Sequence, residues 1–71
     1  MKMYLDELEI TGTEASFEIL RINYEMCARA FNELAKIHNN AICFIDLETE
    51  FSQKAQAIAC VLERERDNHD I

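Results

Sequence analysis

A chain of 71 residues makes one domain at most, and one this small buries only about 60% of its unfolded surface. Its net charge of −7 argues against direct nucleic-acid binding and against an anionic membrane surface, both of which call for a basic patch, and its Lys and Arg residues are scattered from Lys2 to Arg66. A hydrophobic content of 49% is too high for a disordered chain, and one glycine with no proline leaves too few turn residues for a meander of strands, so long helices are favoured.

The lead segment, residues 3–10, reads Met-Tyr-Leu-Asp-Glu-Leu-Glu-Ile. It fits either an extended edge strand or one helical turn. In either form, Met3, Leu5, Leu8 and Ile10 are candidates to cover part of an apolar helix face. Lys2 is followed at once by acidic residues, which is unlike a secretory signal, and no apolar run approaches the ~20 residues of a bilayer span. A cytoplasmic, reducing compartment is therefore expected. Cys27, Cys43 and Cys60 are odd in number and form no CxxC pair, so a closed disulfide framework within one chain is excluded. Oligomerisation is left as the staple that small domains usually need.

Thr11-Gly12-Thr13 breaks the pattern. Thr11 lies three residues before Glu14, the capping-box spacing, and Thr13 is the competing N-cap. A helix over 13–38 follows, carrying two apolar stripes at three-four spacing. The first is Phe17, Leu20, Tyr24, Cys27, Phe31 and Leu34, ending at His38. The second is Ile19, Ile22, Met26, Ala30 and Ile37. Their centres lie roughly 110° apart at 100° per residue. A third, polar stripe of Glu14, Glu18, Arg21, Glu25, Arg29, Asn32 and Lys36 reads as the solvent face, with Glu25 to Arg29 as a favourable i,i+4 pair.

Asn39-Asn40 is the turn signal at the middle of the chain, because asparagine tolerates left-handed backbone. A second helix over 41–66 is preferred, with a start after Asp46 as the rival reading. Its apolar positions include Leu47, Phe51, Ala55, Ile58 and Leu62, and Glu50 to Lys54 is its i,i+4 pair. Residues 67–71 are expected to fray, since Glu65, Asp67 and Asp70 oppose the helix dipole.

Few residues carry chemistry. His38, Cys43, Cys60 and His69 lack paired metal-ligand spacing, and no glutamate stands three residues before a histidine, which removes the di-iron bundle. Cys43 has His38 as its nearest base but lacks an orienting third group and an electropositive pocket. Glu14, Glu18 and Glu25 share their stripe with Arg21, Arg29 and Lys36, so they read as a solvated face and not as a magnesium site. No catalytic, cofactor or metal residues are assigned, and an enzyme is the least favoured class.

The plan of two similar helices joined by a short turn resembles the plasmid copy-control hairpins that dimerise into four-helix bundles. That likeness is one of architecture only. Those proteins bind RNA through basic faces, whereas the face here is mixed, and no residue is carried over.

The resulting expectation is an all-α fold: one helical domain over 1–71, an antiparallel two-helix hairpin with a short lead segment, assembling with itself into a helical oligomer. The function expected is a non-enzymatic protein-binding module, a regulator or inhibitor of another protein, associating through Ile19, Ile22, Met26, Ala30 and Ile37. Two alternatives stand beside it. One is an acidic nucleic-acid mimic from a virus or mobile element, blocking a basic cleft of a host defence nuclease through Glu48, Glu50, Glu63 and Glu65. The other is an oligomer holding a nucleotide-like ligand between subunits, with Arg21, Arg29, Arg64 and Arg66 as anion contacts. The question left open is whether residues 3–10 or a second subunit lies along the Ile19 to Ile37 stripe, which is ~27 Å long.

Overall fold

A computed structural model of the chain describes the backbone of residues 1–69 and the side chains through Asp67. Two strands, β1 (Lys2–Leu5) and β2 (Leu8–Thr11), precede two long helices, α1 (Glu14–Ile37) and α2 (Ile42–His69). The expectation of an all-α chain is thus corrected at its start. The lead segment is a β-hairpin, paired antiparallel with Lys2 opposite Thr11, Met3 opposite Ile10, Tyr4 opposite Glu9 and Leu5 opposite Leu8. Main-chain bonds between Gly12 and Met1, in both directions, extend the ladder by one pair. Alternation explains the strand. Met3, Leu5 and Ile10 turn to one face and pack on the helices, while Lys2, Tyr4, Glu9 and Thr11 turn to the other and are exposed.

The two-residue turn has positive φ at both Asp6 (50°) and Glu7 (69°). That is the mirror-image geometry which matches the right-handed twist of a tight hairpin. It was hidden in the sequence because neither residue is glycine or asparagine.

Thr13, not Thr11, caps α1: its hydroxyl accepts from the Ser16 N–H at 3.1 Å, and the Ser16 hydroxyl donates back to the Thr13 carbonyl. At the other end Asn39 and Asn40 both adopt left-handed backbone, φ 57° and 58°, and the Asn40 N–H reaches the Ala35 carbonyl at 2.6 Å. This closes α1 with a Schellman-type bond and reverses the chain into α2. The second helix starts at Ile42, so the rival start after Asp46 does not occur; its first turn has no acidic residue. Its helical backbone runs through His69, three residues past the expected end at 66. The Arg66 guanidinium pairs with Glu14 at 2.9 Å and Glu18 at 3.7 Å and ties this part of α2 to the start of α1. Residues 70 and 71, part of the segment expected to fray, lie outside the described residues.

The core is small. Phe17, Ile58 and Leu62 are fully buried beneath Met3 of β1, with Leu5, Ile10, Leu20, Tyr24 and Val61 around them. Further along, α1 meets α2 through Ala28, Ala35 and Ala55. Ala28 and Ala35 belonged to neither apolar stripe. The most buried direction of α1 is thus rotated away from the centre of the first stripe. Cys27, a member of that stripe, is consequently exposed. Its larger members splay to one side and form a row of rings. Tyr24 and Phe31 lie 5.8 and 5.6 Å from Phe51, and Phe44 lies 6.2 Å from Phe31 and 5.4 Å from His38. Positions 24, 31 and 38 on one chain segment and 44 and 51 on the other repeat every seven residues, as a packed helical seam requires.

Candidate interaction surface

The buried residues of α1, Phe17, Ala28 and Ala35, point one way. Ile19, Met26, Ala30 and Ile37 point roughly 170° away at 100° per residue. The second stripe therefore lies on the outer side of α1, opposite α2. The β-hairpin does not reach it, because β1 sits over the Phe17, Ile58 and Leu62 end of the helix pair. This settles the placement of the lead segment: it completes the core and does not cover the stripe. Ile19 (60%), Met26 (59%) and Ile37 (70%) keep most of their surface exposed, Ile22 is nearly half exposed, and Ala30 is exposed as well. Glu33 interrupts the stripe, held 3.5 Å from Lys36.

The molecule is also thin for its mass. Its extents are 49 × 24 × 15 Å and its radius of gyration is 14.2 Å, against about 11 Å for a compact domain of this length. Stable domains usually stack two layers. Here a single layer of two helices carries a second layer, the hairpin, over one end only.

Charged residues form a ladder on one edge. Arg21 donates to Glu18 at 2.9 Å and to Glu25 at 2.7 Å, and Arg66 continues the chain to Glu18 and Glu14. Glu25 thus pairs with Arg21 and not with Arg29 as the spacing predicted. Hydrogen bonding from Arg21 is the main cause that holds the Glu18 carboxyl below its ordinary range; burial opposes it, and the charges of Arg21 and Arg66 add to the lowering. Hydrogen bonds to Glu18 and Glu25 raise the Arg21 guanidinium, and one to Glu14 raises Arg66. Two of the four arginines considered for an anionic ligand are therefore already paired with carboxylates, while Arg29 and Arg64 are exposed.

An open groove of about 720 Å³ runs between the helices on that same side. Ala28, Ala55 and Ala59 line it together with Glu25, Arg29, Asn32, Glu48 and Gln56. Asn32 Nδ2 donates to Glu48 Oε2 across it at 2.8 Å. The four acidic residues singled out on α2 do not converge. Glu48 faces the groove, Glu50 is 3.2 Å from Lys54, Glu63 is exposed and Glu65 is half-buried.

Cys27, Cys43 and Cys60 are free and exposed. Among the described residues no group of three His, Cys, Asp or Glu side chains is placed to hold a metal ion. The His69 side chain lies outside the described residues. No described helix is long and apolar enough to cross a membrane. No protein family, curated protein or solved structure matches the chain.

Proposed function

We propose that this chain is a non-enzymatic protein-binding module that self-associates through the outer face of α1 and regulates or inhibits another protein. The observation that supports it is the exposure of Ile19, Met26 and Ile37 on one helix face in a fold whose own elements leave that face bare. Exposed apolar residues scattered singly are ordinary, but a row along ~27 Å of one helix has the form of a docking surface. Its members are mostly aliphatic, as in permanent interfaces.

Light scattering tests this reading. The unmodified chain should exceed the 8.3 kDa of one copy. Met26→Asp should bring it to one copy, because docking would then bury an unpaired charge. An unchanged molar mass in Met26→Asp would remove the assignment of this face.

The acidic-decoy reading has the net charge of −7 in its favour. Salt separates the two: a decoy loses affinity for its target steeply as ionic strength rises, and an apolar interface does not.

A further inference from the structure

The structure points to a specific partner and register for the outer face of α1: a second copy of this chain docks there antiparallel, Ile19 against the second copy's Ile37 and Met26 against its Ala30. This rests on reading that face as a self-association surface.

The first support is spacing. The four outermost residues, 19, 26, 30 and 37, are separated by seven, four and seven positions, and the order reads the same in reverse. A two-fold axis perpendicular to the helix, level with residue 28, therefore superposes the row on itself, which is what an isologous interface demands. Across that axis the long Met26 side chain meets the short Ala30, so the backbones can approach at the centre. A parallel pair would set Met26 against Met26 and Ala30 against Ala30, leaving a clash beside a gap.

The second support is charge complementarity. Glu18 and Lys36 are eighteen residues apart, five whole helical turns, and so share one flank of the row. In the antiparallel register Lys36 of one copy falls two residues, about 3 Å along the axis, from Glu18 of the other. Arg29, which makes no ion pair among the described residues, falls at the same offset from Glu25 of the second copy. Each contact occurs twice by symmetry.

The third support is area. The chain exposes 5246 Å², whereas a compact monomer of 8.3 kDa exposes about 4,600 Å². The excess, about 650 Å², approaches the ~800 Å² that each partner buries in a standard interface.

Site-directed cross-linking tests the register. In a chain carrying Cys27→Ser, Cys43→Ser and Cys60→Ser, all at exposed positions, one preparation also carries Ile19→Cys and another Ile37→Cys. Each is treated with a short bifunctional maleimide alone and after mixing. The mixture should give at least tenfold more covalent dimer than either preparation alone. Efficient cross-linking of Ile19→Cys to itself overturns the antiparallel register. So does a mixture that yields no covalent dimer while light scattering finds the parent chain dimeric. A parent chain that stays at one copy at high concentration overturns the self-association reading itself, which is a different result from a wrong register.

Discussion

Lys54 Nζ on α2 lies 3.2 Å from Asp6 Oδ2 at the tip of the β-hairpin and 3.2 Å from Glu50 Oε1 on its own helix. One ammonium thus holds the hairpin's tip down beside Phe51, whose ring it overlies at 5.6 Å. Hydrogen bonds to Glu50, then to Asp6, raise its pKa. The other end of the hairpin is anchored by Met3 in the core.

Lys54→Met should therefore loosen the hairpin locally and leave the helices intact. Hydrogen exchange reads this directly: amides of β1 and β2 should exchange faster, while mid-helix amides of α1 and α2 keep their rates. Equal acceleration in all four elements would mean that the hairpin and helices open as one unit, contrary to this account.

The turn that Lys54 restrains holds stored strain. Glu7 has φ 69° and Asp6 φ 50°, backbone that costs an L-residue with a side chain roughly 1–2 kcal/mol. Glu7→Gly removes that cost at one position, at the expense of a more flexible unfolded chain. A net gain of about 0.5–1 kcal/mol is expected by denaturant unfolding, with an unchanged m-value. A loss of stability would show that the Glu7 side chain has a role in the folded chain beyond the turn.

The same turn explains what could and could not be read from the sequence. Asn39-Asn40 announced the helix reversal because asparagine is the usual non-glycine left-handed residue, and both residues adopt that backbone. Asp6-Glu7 adopts it too, but nothing in the pair Asp-Glu signals a tight turn, so the lead segment read as one element and not as two strands. The helices were legible from their three-four spacing, and so was the Glu50 to Lys54 pair. The side of α1 that meets α2 was only half legible. Counting large apolar residues located Phe17, Tyr24 and Phe31, but Ala28 and Ala35, small residues outside both stripes, are buried as well. The bare outer stripe was visible as a pattern. That the lead segment leaves it uncovered follows from Met3 being drawn to Phe17, Ile58 and Leu62, which depends on tertiary packing.

Burial separates the two apolar faces energetically. Ile58 is fully buried, so Ile58→Val should cost about 1 kcal/mol, a large fraction of what a core this small can supply. Ile19→Val removes the same methylene from a side chain that is 60% exposed in the single copy. At concentrations where the chain is monomeric it should change unfolding by less than about 0.5 kcal/mol. Comparable costs at the two positions under those conditions would show that Ile19 is covered within one chain.

The charge ladder on α1 gives the fold a dependence on acidity whose sign is fixed by Glu18. Its carboxyl titrates below the ordinary value of 4.5, first because Arg21 hydrogen-bonds to it and then because Arg21 and Arg66 are cationic. An unfolded chain takes up that proton earlier on acidification than the folded one. Glu18 therefore contributes stability that is fully present above the unfolded value and is lost as pH falls through the lower folded one. Because Glu18 joins Arg66 of α2 to α1, the loss should appear as separation of the helix ends near Glu14. Glu18→Gln should be less stable than the parent at neutral pH, and the two chains should converge as pH falls from the ordinary carboxyl value through the lower folded one. Thermal midpoints measured from pH 7 to pH 2.5 at low salt check this, since screening weakens exposed pairs. A difference between parent and variant that stays constant down to pH 2.5 would show that Glu18 acts through packing and not through its charge.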